Sequence, residues 1–173
     1  MGVRVVGIEI PSHSPVFLAI LAIHVPIGLL AVVSGVVAML KEKRRGGHTR
    51  FGSIYFCCLG ALFATSTALA ALRWSEDYHL FALGALAFVA ALIGREARRR
   101  RWTTAIDAHV AGMGLSYIVM LTAFYVDNGK NLPIWRDLPP LAYWLVPSVV
   151  GLPLMIRALA RSQQIVIRPN KTA

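Results

Sequence analysis

Residues 16–40 read VFLAILAIHVPIGLLAVVSGVVAML, a stretch without a charge, and residues 41–50 behind them read KEKRRGGHTR. A bilayer core takes about 20 helical residues, roughly 17–25. Inside lipid, only helices and closed barrels satisfy their own backbone groups. This stretch is therefore a membrane span with a basic stop. Four further uncharged runs follow: Phe51–Leu72, Leu80–Gly94, Ala108–Val126 and Leu138–Ile156, of which the second is the shortest. The pattern predicts an all-α, polytopic transmembrane helix bundle of five spans, at about 16–40, 51–72, 78–94, 103–126 and 138–157. An outer lead over 1–15 precedes a single bundle over 16–160, and a cytoplasmic tail follows over 161–173.

Composition agrees. Of the 173 residues, 57% are hydrophobic and 15% charged, with mean hydropathy +0.62, a balance suited to lipid and hazardous in water. The first run is too long for a cleavable signal, and only Arg4 precedes it. Cys57 and Cys58 are adjacent, so they cannot build a disulfide framework and read as small packing residues.

The net charge of +10 sets topology rather than binding nucleic acid. Fourteen of the 18 Lys and Arg fall in the first connection, in the third connection and after the last span. Arg4, Arg73, Lys130 and Arg136 alone fall on the other side. The positive-inside rule places the N-terminus outside and the C-terminus inside. Basic loops this short contact anionic head groups but form no nucleic-acid module.

Finer punctuation follows. Pro26 is expected to kink the first helix, and Pro147, Gly151 and Pro153 to kink or break the fifth. Ser75-Glu76-Asp77 reads as a tight turn, Trp74 and Trp102 as interfacial anchors. The polar connection 127–137 reads as an interfacial segment or an outer lid. Ala31 and Gly35, Ala64 and Ala68, and Ala87 and Ala91 offer small-residue contacts between helices. Asp107, at the start of the fourth helix, suits the positive helix end and a pairing with Arg101 or Arg50.

The chemical lead is histidine. Of five, His24 and His109 lie in apolar sequence, where an ionisable side chain is costly and points to function. His24, His48, His79 and His109 each precede a glycine by four or five positions, at Gly28, Gly52, Gly84 and Gly114. Gly52 leads to Tyr55 and Gly114 to Tyr117. Helices 1–2 and 3–4 thus read as a degenerate duplication that relates His24 to His79 and His48 to His109. Counting from the basic borders puts His24 and His79 at nearly equal height, ~25 and ~24 Å away. Equal-height histidines could ligate haem b or a transition metal, with glycines leaving room for a flat macrocycle. His24 with His79, and His48 with His109, are the candidate ligand pairs. No phosphate loop, HExxH or Gly-x-Ser-x-Gly elbow occurs. Ser66 and Thr67 are expected to bond back to helix carbonyls.

Several of these residues carry a resemblance. His24-x-x-x-Gly28, His48-Thr49-Arg50-Phe51-Gly52-Ser53-Ile54-Tyr55, the His109 region and Leu121-Thr122-Ala123-Phe124-Tyr125-Val126-Asp127-Asn128-Gly129 resemble a family of predicted bacterial membrane proteins. It is known as a domain of unknown function, number twenty-three hundred and six. The likeness covers most of residues 16–156. The family shows His-Arg-x-x-Gly-x-x-Tyr at the second span, whereas here Thr49 takes the arginine position and Arg50 follows. Basic residues common after the family's fourth-span histidine are missing. The resemblance implies a bacterial inner-membrane bundle and no particular reaction.

Three functions fit the sequence. One is a haem- or metal-binding protein in a redox role, exchanging electrons with a membrane partner or quinone. The second is a non-catalytic membrane assembly or partner subunit. The third is a small permease, which at five spans would have to oligomerise.

Overall fold

The computed structural model describes residues 3–5, 8–10, 14–42 and 46–167, with side chains from 14 to 163. Five helices dominate: α1 Pro15–Leu40, α2 Gly47–Leu72, α3 Trp74–Arg99, α4 Ala105–Asn128 and α5 Pro140–Ile167. Each is long and apolar enough to cross a membrane. At 26 residues, α1 to α3 each span about 39 Å, more than the ~30 Å hydrocarbon core. The segment before α1 also holds a small hairpin, which hydropathy did not reveal. Strand β1, Val3–Val5, pairs antiparallel with β2, Ile8–Ile10, in the register Val3 to Ile10.

The helices overrun their apolar runs, because backbone hydrogen bonding does not stop where hydrophobicity does. Ser75, Glu76 and Asp77 are no turn. They form the first turn of α3, where carboxylates favour the positive helix end. The connection shrinks to Arg73, whose guanidinium pairs with Glu76 and, at 3.4 Å, with Asp77. It also lies 5.9 Å from the centre of the buried Phe17 ring. α1 runs unbroken through Pro26, and α5 through Pro147 and Pro153. The segment after α4 folds as a 3-10 turn, Gly129–Asn131, and then tight turns closed on Leu132 O by Trp135 N and Arg136 N at 3.1 and 2.9 Å. Gly46, at φ 123°, opens α2 in a conformation that L side chains rarely adopt. Arg101 closes α3 in the left-handed region at φ 52°, while Trp102 N bonds Ala97 O at 3.1 Å.

The chain forms two compact units, Met1–Ala85 with Asp127–Asp137, and Leu86–Val126 with Leu138–Ala173. In both, alanine, glycine and serine are prominent among the buried residues, while many large apolar side chains are exposed. In the first unit, α1 buries Ala31, Ser34, Gly35 and Ala38 against α2, whose buried residues are Tyr55, Leu59, Leu62 and Ala70. Leu29, Val33 and Leu40 stand 64%, 57% and 81% exposed. Water would not tolerate that pattern, but lipid tails do, and helices in lipid cohere by close backbone approach. Ala64 and Ala68 depart from the small-residue expectation. Neither is buried, because Tyr55, Leu59 and Leu62 define the packed face of α2.

In the second unit, α3 buries Ala87, Ala90, Ala91, Gly94 and Ala97, and α4 meets it at Gly112. A Cβ on Gly112 would come within 2.6 Å of Ala90 O and 2.8 Å of Gly94 Cα. α5 runs antiparallel to α4, through Ser162 with Asp107, Met155 against Gly114 and Gly151 against Ile118.

Candidate functional site

Three of the histidines are held through Nδ1 by a neighbouring helix. His48, in the first turn of α2, donates Nδ1–H to Ala38 O near the end of α1, at 2.8 Å. His109 on α4 donates Nδ1–H to Gly94 O on α3, at 3.1 Å. A carbonyl only accepts, so both rings carry a proton on Nδ1. His24 Nδ1 lies 2.8 Å from Thr65 Oγ1. Thr65 Oγ1 also lies 2.9 and 3.1 Å from Ala61 O and Leu62 O, so the hydroxyl can donate either to its own helix or to His24, and the tautomer of His24 follows from that choice. In the neutral imidazole, Nε2 is then the nitrogen with the lone pair on the His48 and His109 rings. Hydrogen bonds of this kind orient metal-ligating histidines and fix their tautomer.

His79 lies in the first unit, its ring edge-on to Tyr78 with centroids 5.8 Å apart. Its height differs from the expectation. Thr65, which bonds His24, is flanked by Phe63 and Ser66, which meet Gly84 on α3. His24 is thus level with the region of Gly84, roughly 7 Å along α3 from His79. Counting from the basic borders misplaces the two, because α1 ends at Leu40, beside Lys41, whereas α3 runs past Arg95 to Arg99.

The four glycines differ. A Cβ on Gly52 would meet nothing within 4 Å, and on Gly28 only Leu62 at 3.7 Å. On Gly84 it would press on Phe63 and Ser66 at 3.2 Å, and on Gly114 on Met155 at 2.9 Å. Gly84 and Gly114 are thus occupied by helix packing. Gly52 alone of the four faces open space.

The two hairpins share more than histidines. The buried α1 positions Ala31, Ser34, Gly35 and Ala38 recur, with the same spacing, as the buried α3 positions Ala87, Ala90, Ala91 and Gly94. The carbonyls that receive His48 and His109 are the last of each set. On the partner helices, the buried Tyr55 and Leu59 correspond to the buried Ser116 and Met120, in the same register that relates His48 to His109.

Elsewhere, Asp107 Oδ1 lies 2.8 Å from Ser162 Oγ on α5, a partner that the sequence did not signal. Ser66 and Thr67 both bond back to Phe63 O, as their type predicts. Cys57 is exposed on α2, and Cys58 is partly covered. Among the described residues, no three His, Cys, Asp or Glu side chains gather in a group able to hold a metal ion. His13 lies outside the described residues. No family model matches this chain, and no curated protein and no solved structure matches it.

Proposed function

We propose that this chain is a multi-pass protein of the bacterial inner membrane, with its N-terminus outside, that binds haem b through intramembrane histidines and serves a redox role. The observation that carries the reading is that His24, His48 and His109 are each held through Nδ1 by a neighbouring helix. Such contacts orient the ring, as they do in histidines that ligate iron, and in His48 and His109 they leave the lone pair on Nε2. A transition metal is the secondary choice. Haem needs two axial side chains, whereas an isolated ion usually needs three or four, and among the described residues no such group occurs. His24 is the first ligand in this reading, and His79, in the same unit, is its partner. His48 and His109 present the same chemistry, each within its own hairpin.

When bound, haem would supply one-electron chemistry, and a quinone or a membrane redox protein would be the exchange partner. The protein's part is to orient the rings and to keep them in a medium of low dielectric. The test is an absorption spectrum of the detergent-purified chain. A Soret band that is lost in His24→Leu, with helical content retained, is the expected result. The absence of both a Soret band and a stoichiometric metal would remove the proposal. In that case the non-catalytic assembly subunit stands, and His24→Leu and His79→Leu should leave folding intact.

A further inference from the structure

The second unit ends in a concentration of arginine. Arg95, Arg98, Arg99, Arg100 and Arg101 close α3, while Arg157 and Arg161 lie near the end of α5. Its acids among the described residues are Glu96 and Asp107. Glu96 is shared by Arg99 and Arg100, at 3.3 and 3.1 Å, and Asp107 receives Ser162. Arg157 and Arg161 have no ion-pair partner among the described residues, and both are exposed.

Their place on α5 is specific. Val150, Leu154, Arg157 and Arg161 follow helical spacing and form one outward stripe, with Val150 and Leu154 58% and 63% exposed. The stripe passes from aliphatic to guanidinium within one turn, as a surface does where acyl chain gives way to phosphate. The antiparallel register with α4, set by Ser162 with Asp107 and Met155 with Gly114, puts Arg161 level with Ala108 and Arg157 level with Gly112. Arg157 therefore lies ~10 Å beyond the start of α4 at Ala105. In a membrane span, an exposed guanidinium at that depth extends outward to the headgroup layer. On a lipid-facing stripe, the anion at hand is a lipid phosphate, and the planar guanidinium fork matches its oxygens.

We propose that Arg157 and Arg161 form a binding site for the phosphate of an anionic phospholipid, whose acyl chains lie along Leu154 and Val150. The site rests on the reading of α5 as a membrane span and is independent of haem. Spin-labelled phosphatidylglycerol and spin-labelled phosphatidylcholine, each in nanodiscs that hold the full chain in a phosphatidylcholine background, test it. Electron paramagnetic resonance reads the motionally restricted fraction. The wild type should retain phosphatidylglycerol in preference. Arg157→Gln with Arg161→Gln should lower that preference by about fivefold for each arginine lost, and Arg161→Gln alone should show half of the effect on a logarithmic scale. Arg136→Gln, in the other unit, should leave it unchanged. Inorganic phosphate at constant ionic strength should not displace the lipid. Equal retention of both lipids by the wild type, an unchanged preference in the helical single or double variant, or displacement by free phosphate would each overturn the assignment.

Discussion

At the scale of the residue, the glycines separate packing from vacancy. Gly112 lies where a Cβ would meet backbone atoms, Ala90 O and Gly94 Cα, rather than the end of a flexible side chain. Neither can move without shifting α3. Gly112→Ala should therefore cost about 3 kcal/mol, the upper part of the usual range for overpacking. Gly52 faces nothing within 4 Å, so Gly52→Ala should be neutral or gain up to about 1 kcal/mol of helix propensity. Reversible unfolding of both variants in bicelles measures the contrast, and a Gly112→Ala protein as stable as the wild type would contradict the close α3–α4 contact. Sequence spacing could not make this distinction. All four glycines beside histidines look alike in one dimension, and what opposes each is decided by a second helix. Gly112 drew no notice at all, because nothing in its local sequence marks it.

At the scale of the element, small residues hold the hairpins and hydrogen bonds orient them. Interhelical hydrogen bonds in membranes are worth ~0.6 kcal/mol on average. Losing the Thr65 hydroxyl should therefore cost little stability while freeing the His24 ring. Thr65→Val is expected to unfold within about 1 kcal/mol of the wild type. Its effect should appear instead in nitrogen-15 spectra of His24, as a changed balance between the two tautomers. An unchanged balance would show that Thr65 does not set it. The correspondence of the hairpins was legible from His48 and His109, but only as spacing, and the neighbouring Gly114 and Tyr117 fall one position out of the register that relates the buried residues. The matching buried sets on α1 and α3 were hidden, because serine and alanine are common in apolar runs and nothing local says which face is packed. Helix ends were misjudged for a related reason. Ser75 to Asp77 look like a polar turn, yet two carboxylates at a helix start favour helix, and Arg73 just before it pairs with both.

At the scale of the molecule, five apolar runs were plain because lipid demands them, and five helices long enough to cross a membrane correspond to them. Orientation depends on where the arginines and lysines fall. With 14 of 18 on alternate connections, flipping the chain would carry those charges across the membrane, against the bias that sets topology. A cytoplasm-active reporter fused after Ala173 should therefore fluoresce, and a periplasm-active phosphatase fused at Lys130 should be active. The basic stretch 41–50 is the strongest local determinant, since it follows the first and longest apolar run. Neutralising Lys41, Lys43, Arg44, Arg45 and Arg50 should raise phosphatase activity at a fusion near residue 46, as a fraction of the chains inserts with the first hairpin inverted. Phosphatase activity at Ala173 in the unaltered chain would reverse the orientation. It would also place Arg157 and Arg161 at the outer leaflet.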